Sequence, residues 1–221
     1  MKLGDVDYSE FIRAIEGNIS FFTDEMRSDN VYLRHDVDDR IDCAVQMAEL
    51  EAELGVASTY FMLDTADYFY RSFDKMRYIQ SLGHEVGWHN NAITRVLKSN
   101  ADMDSDLTPK IRSCVEEVVG VMTANGLNLK GTASHGDPVC YVFNYTNYGI
   151  WDCFKKKDNL PYTQLKLEDF GLQYEAYKFN FGWYLSDSGG KWNAEPFEYI
   201  HKWNEAKNKP IQILVHSQWW K

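Results

Sequence analysis

The sequence predicts an α/β fold in which parallel strands form an open sheet or a closed barrel. Two observations indicate this fold: short runs rich in β-forming residues alternate with amphipathic helical segments, and no linker-like or repeated tract interrupts the 221 residues. A chain of this length can bury the core of one large domain, so we predict a single domain over residues 1–221.

The first elements show the alternation most clearly. An opening helix is predicted from Ser9, as its N-cap, to a stop at Gly17. The run at 31–37, Val-Tyr-Leu-Arg-His-Asp-Val, is rich in β-formers and predicts a strand. A helix is predicted over 40–54 because its apolar residues recur at four-three-four spacing, and Gly55 would end it.

The remaining elements follow the same rules. In order, we predict a strand at 57–63, a helix at 72–81, a strand at 84–88, a helix from the N-cap Thr108 to Gly126, and a strand at 128–134. The aromatic-rich stretch 141–184 is irregular, with one strand expected near 174–184. A helix at 195–207 and a strand at 211–216 complete the chain.

Charge and composition narrow the function classes. A formal net charge of −10 produces a surface field that repels phosphate backbones and anionic lipid headgroups, so a nucleic-acid partner is not expected. No apolar run is long enough to span a membrane, and the N-terminus lacks an export signal, so we expect a cytoplasmic protein without a membrane span. The four cysteines are widely separated, which favours reduced, mostly buried thiols.

Carboxylates stand at the end of the first long predicted strand. Side chains two apart along a strand share a face, so Asp36 and Asp38 should point the same way, with Arg34 below them. Two carboxylates this close repel each other unless a cation lies between them or one is protonated, and a hydrolase can use both outcomes, with one oxygen as a metal ligand and the other carboxylate as a general base. The alternative is that Asp38 and Asp39 only cap the helix beginning near residue 40.

Histidines concentrate at the same kind of position. Five of the six lie at or beside predicted strand termini, where parallel α/β folds carry their chemistry: His35, His84, His89, His135 and His216. An isolated histidine is more often a hydrogen-bonded structural residue, but five at strand ends favour a functional cluster. The sequence contains no glycine-rich phosphate loop and no Gly-x-Ser-x-Gly elbow, and no activating neighbour is evident for Cys140 as a nucleophile.

These blocks resemble the NodB-type polysaccharide deacetylase superfamily, in the branch whose first motif reads Arg-His-Asp-Val-Asp. The similarity runs through the blocks at 33–38, 58–61, 83–89 and 214–216, in family-like order, whereas 137–205 matches no motif. The resemblance implies a distorted (β/α)7 barrel that removes an N-acyl or O-acyl group from a sugar. It also implies Asp36 as general base, Asp38 and His89 as metal ligands, and His216 as general acid. The implied cofactor is a divalent metal, Zn²⁺ or else Co²⁺ or Ni²⁺.

One motif departs from the family pattern. The second metal-binding histidine usually stands four residues after the first, and here that position is Ile93. The third-block Arg-Pro signature is also absent, and the corresponding loop reads Ala-Ser-His-Gly at 133–136. We therefore hypothesise that His135 supplies the missing ligand and restores two nitrogens and one carboxylate. Asn90 or Asn91 could replace it only weakly.

Two functions are consistent with these residues. The first is a metal-dependent hydrolase that removes an acetyl or formyl group from an amino sugar, nucleotide- or lipid-linked, in surface-polysaccharide biosynthesis. The second is a degenerate barrel that binds a glycan or sugar intermediate without hydrolysing it. The enzyme is favoured because a pure binder has no need of the full acid/base set. We predict that Trp88, Trp219 and Trp220 contact the substrate.

Overall fold

The computed structural model describes residues 6–99 and 105–220. Within them, eight strands form one sheet in which every pairing is parallel. The strands are β1 Asn18–Ile19, β2 Asn30–Val37, β3 Thr59–Leu63, β4 Glu85–Asn90, β5 Gly131–Ser134, β6 Tyr174–Glu175, β7 Trp183–Ser186 and β8 Ile211–Val215. The helices are α1 Tyr8–Arg13, α2 Ile41–Glu53, α3 Phe73–Ser81, α4 Ala92–Lys98, α5 Thr108–Ala124, α6 Pro138–Phe143 and α7 Pro196–Ala206.

The strand order is β6-β5-β4-β3-β2-β8-β7, and β1 pairs with the start of β2. The path ends at β6 on one side and at β7 on the other, so the barrel is open between them. The sheet curls around Arg34 of β2, whose guanidinium carbon lies 4.9 Å from the ring centroid of Tyr177, just after β6. This is the distorted α/β barrel that the sequence predicts.

The two faces of β2 show how the sheet divides the core. All eight residues of this central strand are buried, and they alternate between the faces. Val31 and Leu33 pack outward in a cluster with Trp203 of α7. Tyr32 points inward into an aromatic cluster with Phe61 and residues from three other segments, namely Phe22, Tyr174, Phe179 and Phe181. Arg34 and Asp36 continue this inner face toward the carboxyl end of the strand.

Most predicted elements are present within a few residues of their expected bounds. The predictions at 31–37, 40–54, 72–81, 195–207 and 211–216 are confirmed by β2, α2, α3, α7 and β8. The cap of α1 is different: Asp7 accepts a hydrogen bond from the Glu10 amide at 3.0 Å, and Ser9 lies inside the helix. Thr108 is likewise the first helical residue of α5 and not its N-cap.

One further expectation was wrong, and one helix was missed. The single strand near 174–184 is two short strands, β6 and β7, which lie at opposite ends of the sheet and are separated by the 3₁₀ turn Ala176–Lys178. Helix α4 was not predicted at all, and it places Ile93 fully buried in the outer core.

All four cysteines are free thiols. In the described ranges, we find no helix long and apolar enough to cross a bilayer.

Candidate metal and acid/base site

The carboxyl ends of four strands of the sheet bring the candidate residues together. Asp36 belongs to β2 and Asp38 follows it, His89 lies in β4, His135 follows β5, and His216 follows β8. Because all these strands are parallel, their carboxyl ends meet at the same edge of the barrel. Residues separated by up to 180 positions in the chain therefore share one site.

Asp38, His89 and His135 form a compact triad. Asp38 Oδ1 lies 3.4 Å from His89 Nε2 and 3.3 Å from His135 Nδ1, and the two ring nitrogens are 3.1 Å apart. Tetrahedral zinc with bonds of about 2.0–2.1 Å places its ligand atoms roughly 3.3–3.4 Å from one another. The three spacings therefore fit a single small cation, with two nitrogens and one oxygen as its ligands.

The hydrogen bonds around this triad direct its lone pairs inward. His89 Nδ1 donates to the carbonyl oxygen of Ala133 at 2.8 Å, so Nε2 faces Asp38 and His135 and is the nitrogen that can bind a metal when the ring is neutral. Asp38 Oδ1 is buried and accepts no well-oriented hydrogen bond, although both imidazoles are close. Burial alone would raise the pKa of Asp38, but His135 and His89 hold that pKa far below its ordinary value. An ionised, unsatisfied carboxylate oxygen here is consistent with a cation ligand.

Asp36 lies beside the triad in a buried ion pair. Its two oxygens accept hydrogen bonds from Nε and Nη2 of Arg34, each at 2.7 Å, and Oδ2 lies 3.5 Å from His89 Nε2. Burial would raise the pKa of Asp36, but the Arg34 guanidinium and His89 outweigh it and lower the pKa. Asp36 is therefore held ionised, as a general base must be. Arg34, for which the sequence suggested no role, orients this carboxylate.

His216 lies on the opposite side of Asp38, with its Nε2 3.7 Å from Asp38 Oδ2. Its Nδ1 lies 2.6 Å from Oδ1 of the fully buried Asp187, and its backbone amide donates to the same carboxylate at 3.0 Å. Burial would lower the pKa of His216, but Asp187 and then Asp36 raise it above its ordinary value. The raised pKa favours the protonated ring, the form that a general acid needs.

Sequence reasoning missed Asp187. It follows β7 directly, so the strand-end rule that selected the other residues would also have selected it. It was overlooked because β7 is short and lies in the aromatic-rich stretch that was merged into one strand. A third donor reaches the same carboxylate, since Trp220 Nε1 donates to Asp187 Oδ2 at 3.1 Å.

The three tryptophans predicted to contact substrate lie in different surroundings. Trp88 is fully buried on the outer face, and its indole donates to Asp64 at 3.0 Å. This corrects the prediction: neighbours along a strand alternate faces, so Trp88 points away from the site that His89 enters. Trp220 packs against Tyr8 and supports Asp187. Trp219 is 42% exposed and is the one of the three that a substrate can reach directly.

The other strand-end histidines and the alternative ligands have structural roles. His35 Nε2 lies 2.8 Å from the buried carboxylate of Glu51, and His84 lies within 2.9 Å of the Ala48 carbonyl, both on the outer face. Asn90 donates to the Asn147 carbonyl at 3.2 Å. The Asn91 amide contacts side chains outside the triad, those of Thr65 and Asp137. The site therefore uses three histidines of the five at strand ends.

A cavity of about 380 Å³ opens beside the triad on the β5 side. It begins at His135 and is lined mainly by tyrosine rings and amide side chains, including Tyr141, Tyr145, Asn147, Tyr148 and Tyr177. The lining carries no charged side chain apart from His135 when that ring is protonated. A cavity of this size and lining suits a neutral ring-shaped group such as a sugar.

Comparisons with known proteins give few matches. No protein-family model matches the chain, and no curated protein matches it. Among solved structures, a mutant of a CE4 family pseudoenzyme with restored activity is 14% identical, with a TM-score of 0.49, over 85% of this chain and 56% of its own. The wild-type pseudoenzyme, from Bacillus anthracis, is 15% identical, with a TM-score of 0.49. The match covers 85% of this chain and 54% of that chain.

A family 4 carbohydrate esterase from Bacillus anthracis is 12% identical, with a TM-score of 0.44, over 97% of this chain and 80% of its own. The chain thus spans about half the length of the two pseudoenzyme structures. None of the three TM-scores reaches 0.5, so the fold and the site rest on the geometry described above.

Proposed function

We propose that this protein is a divalent-metal-dependent hydrolase of the NodB deacetylase type, which removes an N-acyl group from an amino sugar. The observation that carries the proposal is the arrangement around Asp38. A triad spaced for one cation lies between a carboxylate paired with Arg34, which lowers its pKa, and an imidazole paired with Asp187, which raises its pKa. A pure glycan-binding barrel would not need these two oppositely tuned groups.

In this proposal Asp38, His89 and His135 hold the ion, which fits their donor set and spacing. When bound, Zn²⁺, Co²⁺ or Ni²⁺ would polarise the acyl oxygen and lower the pKa of a water molecule. Asp36 takes a proton from the water as its oxygen bonds to the acyl carbon. His216 then protonates the amide nitrogen as the C–N bond breaks, releasing a free amine and a carboxylic acid. Asp187 stabilises the imidazolium before this transfer.

For the substrate we propose an acetylated or formylated amino sugar, nucleotide- or lipid-linked, handled in the cytoplasm during surface-polysaccharide assembly. The cavity beside His135 supports a sugar because of its neutral, tyrosine-rich lining. The exposed indole of Trp219 offers a second flat surface at the same edge of the barrel.

The test combines metal analysis with an acid-release assay. We expect one equivalent of metal per chain and release of acetate or formate from acylated amino sugars, with loss of turnover but not of metal in Asp36→Asn. His135→Ala should lower the bound metal to well below one equivalent because only two ligands remain. The matched control is His201→Ala, which removes a histidine whose side chain is 71% exposed and lies 3.5 Å from Glu205 on the surface of α7.

If His135→Ala binds as much metal as the wild type, the assignment of His135 as a ligand is wrong. Saturable glycan binding by the metal-loaded protein, without any acid released, would instead establish the degenerate barrel.

A further inference from the structure

The mouth of the cavity beside His135 carries an exposed apolar lip, formed by Tyr141, Val142 and Phe143 of α6 together with Tyr177. These side chains are 86%, 76%, 45% and 47% exposed. Tyr141 and Tyr177 also line the cavity, so the lip surrounds its opening. Adjacent apolar side chains this exposed mark a contact surface in a folded protein.

A lysine cluster, formed by Lys155, Lys157 and Lys178, lies next to the apolar lip. The ring of Tyr177 is 5.6 Å from that of Tyr148, which is 4.8 Å from the ring of Phe154. The Lys178 ammonium lies 5.7 Å from the same Phe154 ring, and Lys155 and Lys157 follow Phe154 and are exposed. The aromatic rings thus connect the lip to the cluster without a gap.

Few acidic groups oppose this cluster. Asp152 is exposed beside it, but Asp158 accepts a hydrogen bond from Tyr162 at 2.8 Å and lies 3.9 Å from Lys156. Asp137, at the start of α6, pairs with Lys98 at 2.8 Å. Surface charges are screened over about 8 Å at physiological salt, so this face is locally positive on a chain of net charge −10.

We propose that the apolar lip and the lysine cluster together dock this protein on an anionic bilayer surface. Tyrosine and phenylalanine favour the membrane interface, and lysines beside them attract anionic headgroups. A stable protein interface uses about 20–30 residues a side, whereas the lip is a small projecting tip, which suits insertion between headgroups. Docking brings the cavity mouth to the membrane surface, independently of whether the site hydrolyses its substrate.

Vesicle co-sedimentation tests the docking. The full chain is mixed with phosphatidylcholine vesicles, with or without one quarter phosphatidylglycerol. We expect binding to the anionic vesicles, strong loss of binding in the double variant Val142→Asp/Phe143→Asp, and about fivefold weaker binding for each lysine of the cluster changed to alanine. Met26→Asp is the matched control because Met26 is 37% exposed and precedes β2, at the opposite end of the barrel. It should bind like the wild type.

Thermal melts show which variants are folded, and only those with wild-type melting temperatures are compared. Equal binding to neutral vesicles, no binding of the wild type, or unchanged binding of the double variant would overturn the proposal. Sedimentation velocity tests whether the lip instead binds a second copy of this chain. A wild-type dimer that becomes a monomer in the double variant would show this and would also overturn the docking proposal. These vesicles contain no sugar, so a negative result leaves the proposed hydrolysis untouched.

Discussion

At the scale of single residues, two proton-transfer groups are tuned in opposite directions by buried partners. Against the effect of burial, Arg34 lowers the pKa of Asp36 and Asp187 raises the pKa of His216. Replacing Asp187 by asparagine preserves its shape but removes the charge that stabilises the imidazolium. We expect kcat for acyl release to fall about 100-fold or more.

The readouts for Asp187→Asn are kcat, KM and metal content. KM and bound metal should stay near wild-type values because Asp187 contacts neither the triad nor the cavity lining. A change confined to KM, or loss of metal, would show that Asp187 does not act through His216.

Glu51 gives a second residue-scale prediction, on stability. Its buried carboxylate accepts hydrogen bonds from the hydroxyls of Tyr8, Ser58 and Tyr60 and lies 2.8 Å from His35 Nε2. Burial would raise its pKa, but His35 first, and then these hydroxyl donors, lower the pKa to about 2.

A carboxyl group whose pKa is lower in the folded state stabilises the protein above its unfolded pKa. That contribution, on the order of 3 kcal/mol, is lost as pH falls from about 4.5 to about 2. Glu51→Gln should lower the free energy of unfolding near neutral pH and flatten its decline over this acidic range. Denaturant titrations at several pH values measure both. A parallel decline in the variant and the wild type would contradict this account of Glu51.

The strand-end rule and the family resemblance together predicted Asp36, Asp38, His89 and His216 as site residues. Of their two partners, the position of Arg34 below Asp36 was predicted, whereas Asp187 was missed. Asp187 follows a four-residue strand without a recognisable pattern, and the pairing of His216 with it depends on how β7 and β8 align. Trp88 was misassigned because the sequence shows its proximity to His89 but not which face the strand turns inward.

At the scale of elements, side chains pack so closely inside the barrel that the size of the residue at position 87 of β4 is limited. A Cβ added at Gly87 would lie 2.5 Å from the Phe61 ring and 3.0 Å from the Gly131 carbonyl. We expect Gly87→Ala to lower the free energy of unfolding by about 1–3 kcal/mol, the usual cost of overpacking.

Gly120, in the middle of α5, is the matched control. Nothing lies within 4 Å of an added Cβ there, and alanine is the better helix former. Gly120→Ala should therefore stabilise the protein by about 0.5–1 kcal/mol. Denaturant unfolding of both variants gives the comparison, and equal effects of the two substitutions would contradict the proposed packing around Phe61.

Elements with strong periodicity were predictable, whereas short or context-dependent ones were not. Helices α2 and α5 carry long apolar stripes, and β2 and β8 are runs of β-formers, so each was expected near its observed position. Helix α4 has seven residues, and β6 has two, which is too short for either period to appear. Their structure depends on contacts with neighbouring strands.

At the scale of the whole molecule, the curled parallel sheet brings Asp38, His89 and His135 together although position 93, four residues after His89, carries no histidine. Position 93 lies on α4, and its isoleucine is buried in the outer core, away from the carboxyl edge. The adjacent strand β5 instead presents His135 to His89 at 3.1 Å. Neighbouring parallel strands end side by side, and the pairing of β4 with β5 therefore brings these two rings together. The extent of the domain, 1–221, stays a prediction.

Anomalous diffraction from zinc-saturated crystals, recorded on both sides of the zinc edge, tests the central claim most directly. We predict one strong peak, within about 2.0–2.2 Å of Asp38 Oδ1, His89 Nε2 and His135 Nδ1, with Asp36 and His216 flanking it. A peak at other residues, or no peak while these three side chains remain in place, would contradict the proposal that this edge of the barrel is a metal-dependent active site.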